Sequence, residues 1–310
     1  MSFYPIYDTT GSTTDRPEAL GTKEKFWLLP HPDTGLTIAG YLFKIGRPNT
    51  GENWAEKFCC EILRYADIPC ASYEFATFGA HTGVVSRQFV PVNGRFIPAN
   101  MMLEAAVVGY DGQLRFRQRR YQITTCLNLI RSRLISPPLW TPQKFAELTA
   151  ADMFIGYLVF DVLVSNTDRH HENWGVVVDY SDQYNPTYSL APTFDHASSL
   201  GRNESDAARK RRLNTRDARD TVEAYAARAR SAFYGHPSHD QVLRQTEVLE
   251  ALIRVAPQAT RHWATILSSI PSKVFEDIFA RIDPRLITGE AIEFALRMLN
   301  ANAATIRRAT

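Results

Sequence analysis

The segment that most restricts the fold is an apolar run, Phe154 to Val164, that ends abruptly in Asn166-Thr167-Asp168-Arg169-His170-His171-Glu172-Asn173. Such a run reads as a buried helix, so the polar loop that follows starts from a rigid base. Trp174-Gly175-Val176-Val177-Val178 then reads as a short buried strand, Tyr180 to Pro186 carries turn chemistry, and Thr187 to Leu190 reads as the returning strand. A hairpin of that form brings Ala191-Pro192-Thr193-Phe194-Asp195 back beside Asn173. Asp168 and Asn173, five apart, and Asp195, 22 residues beyond Asn173, would then share one small volume.

These residue types suit phosphoryl transfer. An Asp can orient an attacking hydroxyl and accept its proton, while an Asn and a second Asp supply the few oxygen ligands that Mg²⁺ takes from a protein. Asp168 taken alone reads first as a cap or turn former; the constellation carries the chemistry. His170, His171 and His196 offer a rival reading as ligands of a metal-dependent phosphohydrolase, because imidazole suits zinc and other transition metals. Adjacent loop histidines point in different directions, however, and no His-x-x-x-His helix spacing is present.

Upstream, residues 8–19 are rich in Thr, Ser, Gly and Asp and read as a mobile lead-in. Lys25 to Leu29 and Leu36 to Ile45 read as a hairpin around a Pro- and Gly-rich turn, with Lys44 near its end. Asn53 can cap a helix through Phe58, Cys59, Ile62 and Leu63, which places Glu56 near the helix start. Lys44 and Glu56 read either as an ordinary surface ion pair or as the pair that steadies a lysine on nucleotide phosphates. Ser72 to Phe78 and Gly83 to Val92 read as further strands, and Gln88 and Phe89 as candidates to line an adenine site. Past Pro98 the pattern turns helical: Ala99 to Val108, Gln122 to Arg133, and Pro142 to Val164.

Together these residues resemble the HipA-like protein kinases, bacterial toxin kinases whose fold is distantly related to eukaryotic protein kinases and phosphoinositide kinases. Asn166-Thr167-Asp168-Arg169-His170 with Asn173 resembles the family's catalytic loop, and Leu190 to Asp195 its metal-binding segment. Leu20-Gly21-Thr22-Lys23-Glu24-Lys25 resembles its phosphate-covering loop, Tyr41 to Lys44 the strand of the nucleotide lysine, and Asn53 to Glu56 the start of the helix whose Glu pairs with that lysine. The agreement spans about residues 17–200, and Ile282 to Ala303 resembles a C-terminal helical segment.

The resemblance implies an α+β, two-lobed kinase fold with a small β-rich N-lobe over 1–98 and a larger helical C-lobe over 99–310. It implies transfer of the γ-phosphoryl of ATP to a Ser or Thr hydroxyl. Asp168 would orient the hydroxyl, Asn173 and Asp195 would hold Mg²⁺, and Lys44 with Glu56 would meet the nucleotide under a cover of Gly21, Thr22 and Lys23. By analogy the substrate is a protein of the translation machinery, such as a tRNA-bound aminoacyl-tRNA synthetase, and control is by a cognate antitoxin. Only 16 residues precede the matching region, so a compact, kinase-core version is expected. Glu18 stands where relatives can place a phosphorylatable Ser. A phosphoinositide or small-molecule kinase and a catalytically silent binding module of the same fold are the alternatives.

Composition agrees with one large or two small lobes: 310 residues, 45% hydrophobic and 22% charged. A net charge of +2 gives no global reason for nucleic-acid binding. Cys59, Cys60, Cys70 and Cys126 lack C-x-x-C spacing and read as buried thiols of a cytoplasmic protein. No stretch approaches the ~18 apolar residues of a membrane span, so no membrane partner is expected, although delivery to another cell as an effector stays open. Asp206 to Arg230 is strongly basic, with Arg209, Lys210, Arg211 and Arg212 together. It reads as a solvated helix or as a surface that meets an acidic or nucleic-acid-bound protein substrate. Arg115, Arg117, Arg119 and Arg120 read as an exposed basic loop.

Overall fold

The computed structural model describes residues 2–17, 24–29, 31–36, 40–132 and 134–310, apart from the side chains of residues 16, 17 and 32. The chain is of the α+β class. Its first sheet contains β1 (Ile6–Asp8), β2 (Thr13–Pro17), β3 (Lys25–Leu29), β4 (Tyr41–Ile45), β5 (Tyr73–Phe78) and β6 (His81–Arg87), with α1 (Glu52–Tyr65) between β4 and β5. The spatial order is β1-β5-β6-β4-β3-β2, antiparallel except for β1 against β5. Residues 8–19, expected as a mobile lead-in, instead contain β2. Thr13 and Thr14 pair with Leu29 and Leu28 of β3, which suits β-branched side chains on a sheet edge.

A second sheet joins β7 (Gly94–Pro98), β8 (Gly175–Asp179) and β9 (Thr187–Leu190) in that order. Gly175 faces β7 so closely that a Cβ there would strike the Ile97 carbonyl. A glycine is therefore what lets this ladder close. The remaining elements are helical: α2 (Ala99–Ala106), α3 (Ile123–Arg131), α4 (Ala150–Val164), α5 (Asp206–Asn214), α6 (Val222–Ala227), α7 (Gln245–Val255), α8 (Pro257–Ser268), α9 (Ser272–Phe279) and α10 (Gly289–Ala309).

Every residue of α4 except Asp152 is buried. The helix begins at Ala150 and not at Pro142, because Thr149 and Asp152 form a reciprocal capping box: Thr149 Oγ1 accepts from Asp152 N at 3.2 Å, and the Asp152 carboxylate accepts from Thr149 N at 2.9 Å. Its far end is held equally firmly. Ser165 adopts a left-handed conformation (φ 53°), and Asn302 of α10 donates to the Leu163 carbonyl at 2.9 Å and to Ser165 Oγ at 2.8 Å. Gln245 of α7 donates to the Asn166 carbonyl. The polar loop after α4 thus leaves a helix fixed at both ends.

Helix α1 starts at Glu52 with Gly51 as N-cap, two residues before the expected Asn53 cap. It packs across to the C-terminal helices, where Phe58 stacks on Phe279 with centroids 4.1 Å apart and Trp54 meets the same ring edge-on. Among the described residues, no helix is long and apolar enough to cross a membrane.

Candidate active site

Lys44 lies on β4 opposite Lys25 of β3 and Val84 of β6. The neighbouring Gly83 approaches so closely that a Cβ would strike the Lys44 carbonyl. The side chain is only 6% exposed, with Nζ 3.6 Å from Asp195 and 3.8 Å from Glu56. Its shortest contact is a third group: Nζ donates to the Tyr73 hydroxyl at 3.0 Å. Burial pulls the ammonium pKa down, but Asp195, then Tyr73 and Glu56, outweigh it and hold the pKa above the ordinary lysine value.

Tyr73 and Glu56 do more than face the lysine. Tyr73 Oη also accepts from the Asp195 amide at 3.2 Å, and Glu56 Oε1 accepts from the His196 amide at 2.8 Å. Two consecutive amides of the 195–196 segment are therefore gripped by the same two side chains that surround Lys44. Asp195 itself sits at φ 59°, a left-handed conformation costing on the order of 1–3 kcal/mol for a non-glycine residue. These amide contacts help to hold it there.

Arg169 organises the other wall. It is almost wholly buried, and Asp161 of α4 receives Nε at 2.7 Å and Nη2 at 3.0 Å. Nη1 donates to the carbonyls of Asn173 (2.7 Å) and Phe194 (3.1 Å), and Nη2 lies 2.9 Å from both Thr193 Oγ1 and His196 Nε2. One guanidinium thus ties the loop bearing Asp168 and Asn173 to the segment bearing Asp195, the juxtaposition expected from the hairpin. Asn173 Nδ2 donates to the Asp168 carbonyl at 2.7 Å, which leaves the amide oxygen as the atom that can meet a cation. The Asp168 side chain is 30% exposed.

The three histidines are structural. His171 Nδ1 is 2.6 Å from the Tyr110 hydroxyl, His170 Nε2 is 2.7 Å from Arg115 Nη2, and His196 is held by Arg169 and Thr193. Burial first, and Arg115 second, push His170 down to about 3 and His171 down to about 4. Among the described residues, no group of three or more His, Cys, Asp or Glu side chains is arranged to hold a metal ion. Nothing in that arrangement favours the phosphohydrolase reading.

Lys44, Asn173 and Asp195 line one cleft of about 740 Å³, together with Gln88, Phe89, Phe96 and Phe194. The three phenyl rings cluster, with Phe89 against Phe194 at 5.7 Å and Phe96 edge-on to both at 5.9 and 5.6 Å. An adjoining polar hollow contains Asp168 with Lys25, Arg47, Arg115 and Arg202, and shares Lys44 and Asp195 with the cleft. Gly21, Thr22, Lys23 and Glu18 lie outside the described residues.

Sequence reasoning missed three contributors. Tyr73 gives no signal beyond an aromatic at a strand start. Asp161 does give one, as the single acid inside the apolar run. Arg115, expected on a plain exposed loop, lines the hollow beside Asp168. The Arg209–Arg212 cluster differs from its sharper reading: Arg209 pairs with Asp206, Arg211 with Asp220, and Arg212 with Glu204 and Asp220. Most of that charge is neutralised within its own segment.

The fold is of the kinase class. It is similar to the Helicobacter pylori proinflammatory kinase CtkA, with a TM-score of 0.66 and 16% identity over 98% of each chain. It is also similar to a chain of the Shewanella oneidensis MR-1 toxin–antitoxin complex of HipA, HipB and operator DNA, with a TM-score of 0.55 and 11% identity, covering 99% of this chain and 67% of that one. At these identities the likeness is one of fold. No curated protein matches the sequence. The family described as HipA-like C-terminal domain matches residues 18–263, and the chain belongs to that family.

Proposed function

We propose that this protein is an ATP-dependent serine/threonine protein kinase of HipA type. One observation supports this most: Lys44, Asn173 and Asp195 line a single apolar cleft, and Asp168 lines the basic hollow that adjoins it. The aromatic wall of Phe89, Phe96 and Phe194, with Gln88, suits a purine, and Lys44 suits the phosphates. Gly21, Thr22 and Lys23 would cover them. We divide the chain into lobes at 1–98 and 99–310, with β7 belonging to the first by sequence and to the small sheet of the second by its hydrogen bonds.

In the proposed reaction Asp168 orients the acceptor hydroxyl and takes its proton. The hydroxyl oxygen bonds to the γ-phosphorus as the bridging bond to ADP breaks, and Lys44 offsets negative charge on the phosphates. Asp195 and Asn173 offer oxygen donors alone, which fits a hard cation that takes few protein ligands and completes its shell with phosphate and water. Mg²⁺ held there would neutralise phosphate charge. Tyr73 and Glu56 keep Lys44 and the 195–196 backbone in fixed relation, and Arg169 keeps Asp168 and Asn173 in relation to both.

By likeness to HipA we further propose a toxin or effector kinase that acts on a cytosolic protein such as a translation factor or aminoacyl-tRNA synthetase, under a cognate antitoxin. Four cysteines without a disulfide support a reducing, cytoplasmic setting. Incubating the purified chain with γ-labelled ATP and Mg²⁺, separately with a cytosolic protein extract and with phosphoinositide vesicles, tests the reading. Label on Ser or Thr of protein is expected. Label on lipid alone, or nucleotide binding with no transfer at all, would overturn it.

A further inference from the structure

Beyond the hollow that contains Asp168 lies another, of about 900 Å³, and the two share Thr167, Ser198 and Arg202. Thr167 is the immediate neighbour of Asp168, so a chain that presents a hydroxyl to Asp168 can reach this second hollow within a few residues at ~3.3–3.6 Å per extended residue. Four arginines line it, Arg202, Arg212, Arg228 and Arg230, and no Asp or Glu does.

The four are not equivalent. Arg202 is neutralised by Glu52, and Arg212 by Glu204 and Asp220. Arg228 donates to the Arg219 carbonyl at 2.7 Å, and Arg230 to the Val242 carbonyl and Gln241 Oε1, both at 2.6 Å. These acceptors are neutral, and among the described residues neither guanidinium forms an ion pair. A neutral acceptor fixes a guanidinium in place without cancelling its charge, so Arg228 and Arg230 line the cavity as held cations, Arg228 with Asp220 in its wider surroundings. Glu204, Asp217, Asp220 and Glu223 of the same segment are each paired with an arginine. A hollow lined by held arginines and no Asp or Glu, and sharing a wall with the hollow of Asp168, suits a single anionic side chain of a chain bound at Asp168.

We propose that this hollow is an acceptor subsite for a carboxylate side chain of the protein substrate, held by Arg228 and Arg230, so that acceptor Ser or Thr residues in acidic sequence are preferred. The assignment to the acceptor rests on the kinase reading; the affinity of the hollow for a carboxylate does not. The basic surface for an acidic partner thus falls on Arg228 and Arg230 and not on Arg209 to Arg212.

The test is equilibrium binding of fluorescein-labelled peptides to the full chain by anisotropy, with no turnover required. One short peptide carries Ser among Glu and Ala. A second replaces Glu by Gln, and a third replaces one Glu by phosphoserine. The Glu peptide should bind roughly tenfold tighter than the Gln peptide, and the margin should shrink as salt rises. Arg228→Gln/Arg230→Gln should abolish it while Mg-ATP affinity and thermal midpoint stay unchanged. Arg228→Gln alone, at an exposed side chain, serves if the double variant does not fold, and should at least halve the margin. Equal binding of Glu and Gln peptides, or a margin that survives in the variants, would overturn the subsite. So would a phosphoserine peptide that alone binds, or displacement of the Glu peptide by a single-stranded oligonucleotide. Arginine-dependent binding of the Glu peptide by a chain that transfers no phosphate would retain the subsite and sink the kinase reading.

Discussion

Asp161→Asn keeps the shape of a side chain and removes the carboxylate bonded to Arg169, whose side chain is 1% exposed. In the native protein that carboxylate receives two charge-assisted bonds, while the carbonyls of Asn173 and Phe194 take Nη1. The amide oxygen can replace one of the two bonds, but the amide nitrogen would then confront a guanidinium N–H. A buried charge left without its partner costs about 3–5 kcal/mol, set against a total of about 5–15 kcal/mol for a typical domain. Urea denaturation should therefore show a large fall in midpoint with little change in slope. The double variant Asp161→Leu/Arg169→Met should recover part of the loss because no uncompensated charge remains, yet phosphoryl transfer should stay impaired, since Asn173 and Phe194 lose their common anchor. A loss under ~1 kcal/mol for Asp161→Asn would refute the reasoning, because the pair would then behave as a solvated surface bridge.

Other consequences follow from the same geometry. Tyr73→Phe removes the shortest contact of Lys44 and the acceptor of the Asp195 amide; Mg-ATP affinity by calorimetry should fall about tenfold or more with a modest fall in thermal midpoint, and unchanged affinity would show that Glu56 alone suffices. Asp195→Ala should weaken Mg-ATP binding more than Asp168→Asn does, and equal affinities in the two variants would remove Asp195 as the principal metal ligand. The His170 imidazole is held neutral, its pKa pushed down to about 3 by burial and then by Arg115, whereas an unfolded chain binds that proton near the ordinary ~6.5. Between those values the unfolded state holds more protons, so this contribution to stability is whole above the ordinary value and is lost as pH falls, at ~1.4 kcal/mol per pH unit. His170→Gln should reduce the loss of urea stability between about pH 6.5 and about pH 5; an identical slope would show that His170 titrates normally.

Much of the candidate site is legible in the sequence, because it rests on local patterns. The run into Asn166 forces a buried helix, the residues after Asn173 force a hairpin, and Asp195 must then return beside Asn173. Lys44 and Glu56 follow from strand-then-helix order. What is not legible depends on pairings across distance. Tyr73 sits 29 residues from Lys44 and 122 from Asp195 along the chain, and nothing local distinguishes it from a core tyrosine. Asp161 was visible as one acid in an apolar helix, yet its meaning depends on Arg169 folding back eight residues to meet it. The strand Thr13–Pro17 carries a turn-like composition that only its pairing with β3 overrides. Charge along Asp206 to Arg230 could be counted from the sequence, but which arginines meet acids and which meet carbonyls is settled by tertiary contact.

The most direct test of the central claim is the rate of phosphoryl transfer from γ-labelled ATP to protein by the wild-type chain and by Asp168→Asn, with Mg-ATP affinity measured on the same samples. Asp168 is expected to orient the acceptor and take its proton, help that is typically worth ~10²–10⁴-fold. The account predicts a loss of that order in Asp168→Asn with nucleotide affinity retained. Transfer at the wild-type rate by the pure, folded variant would contradict it.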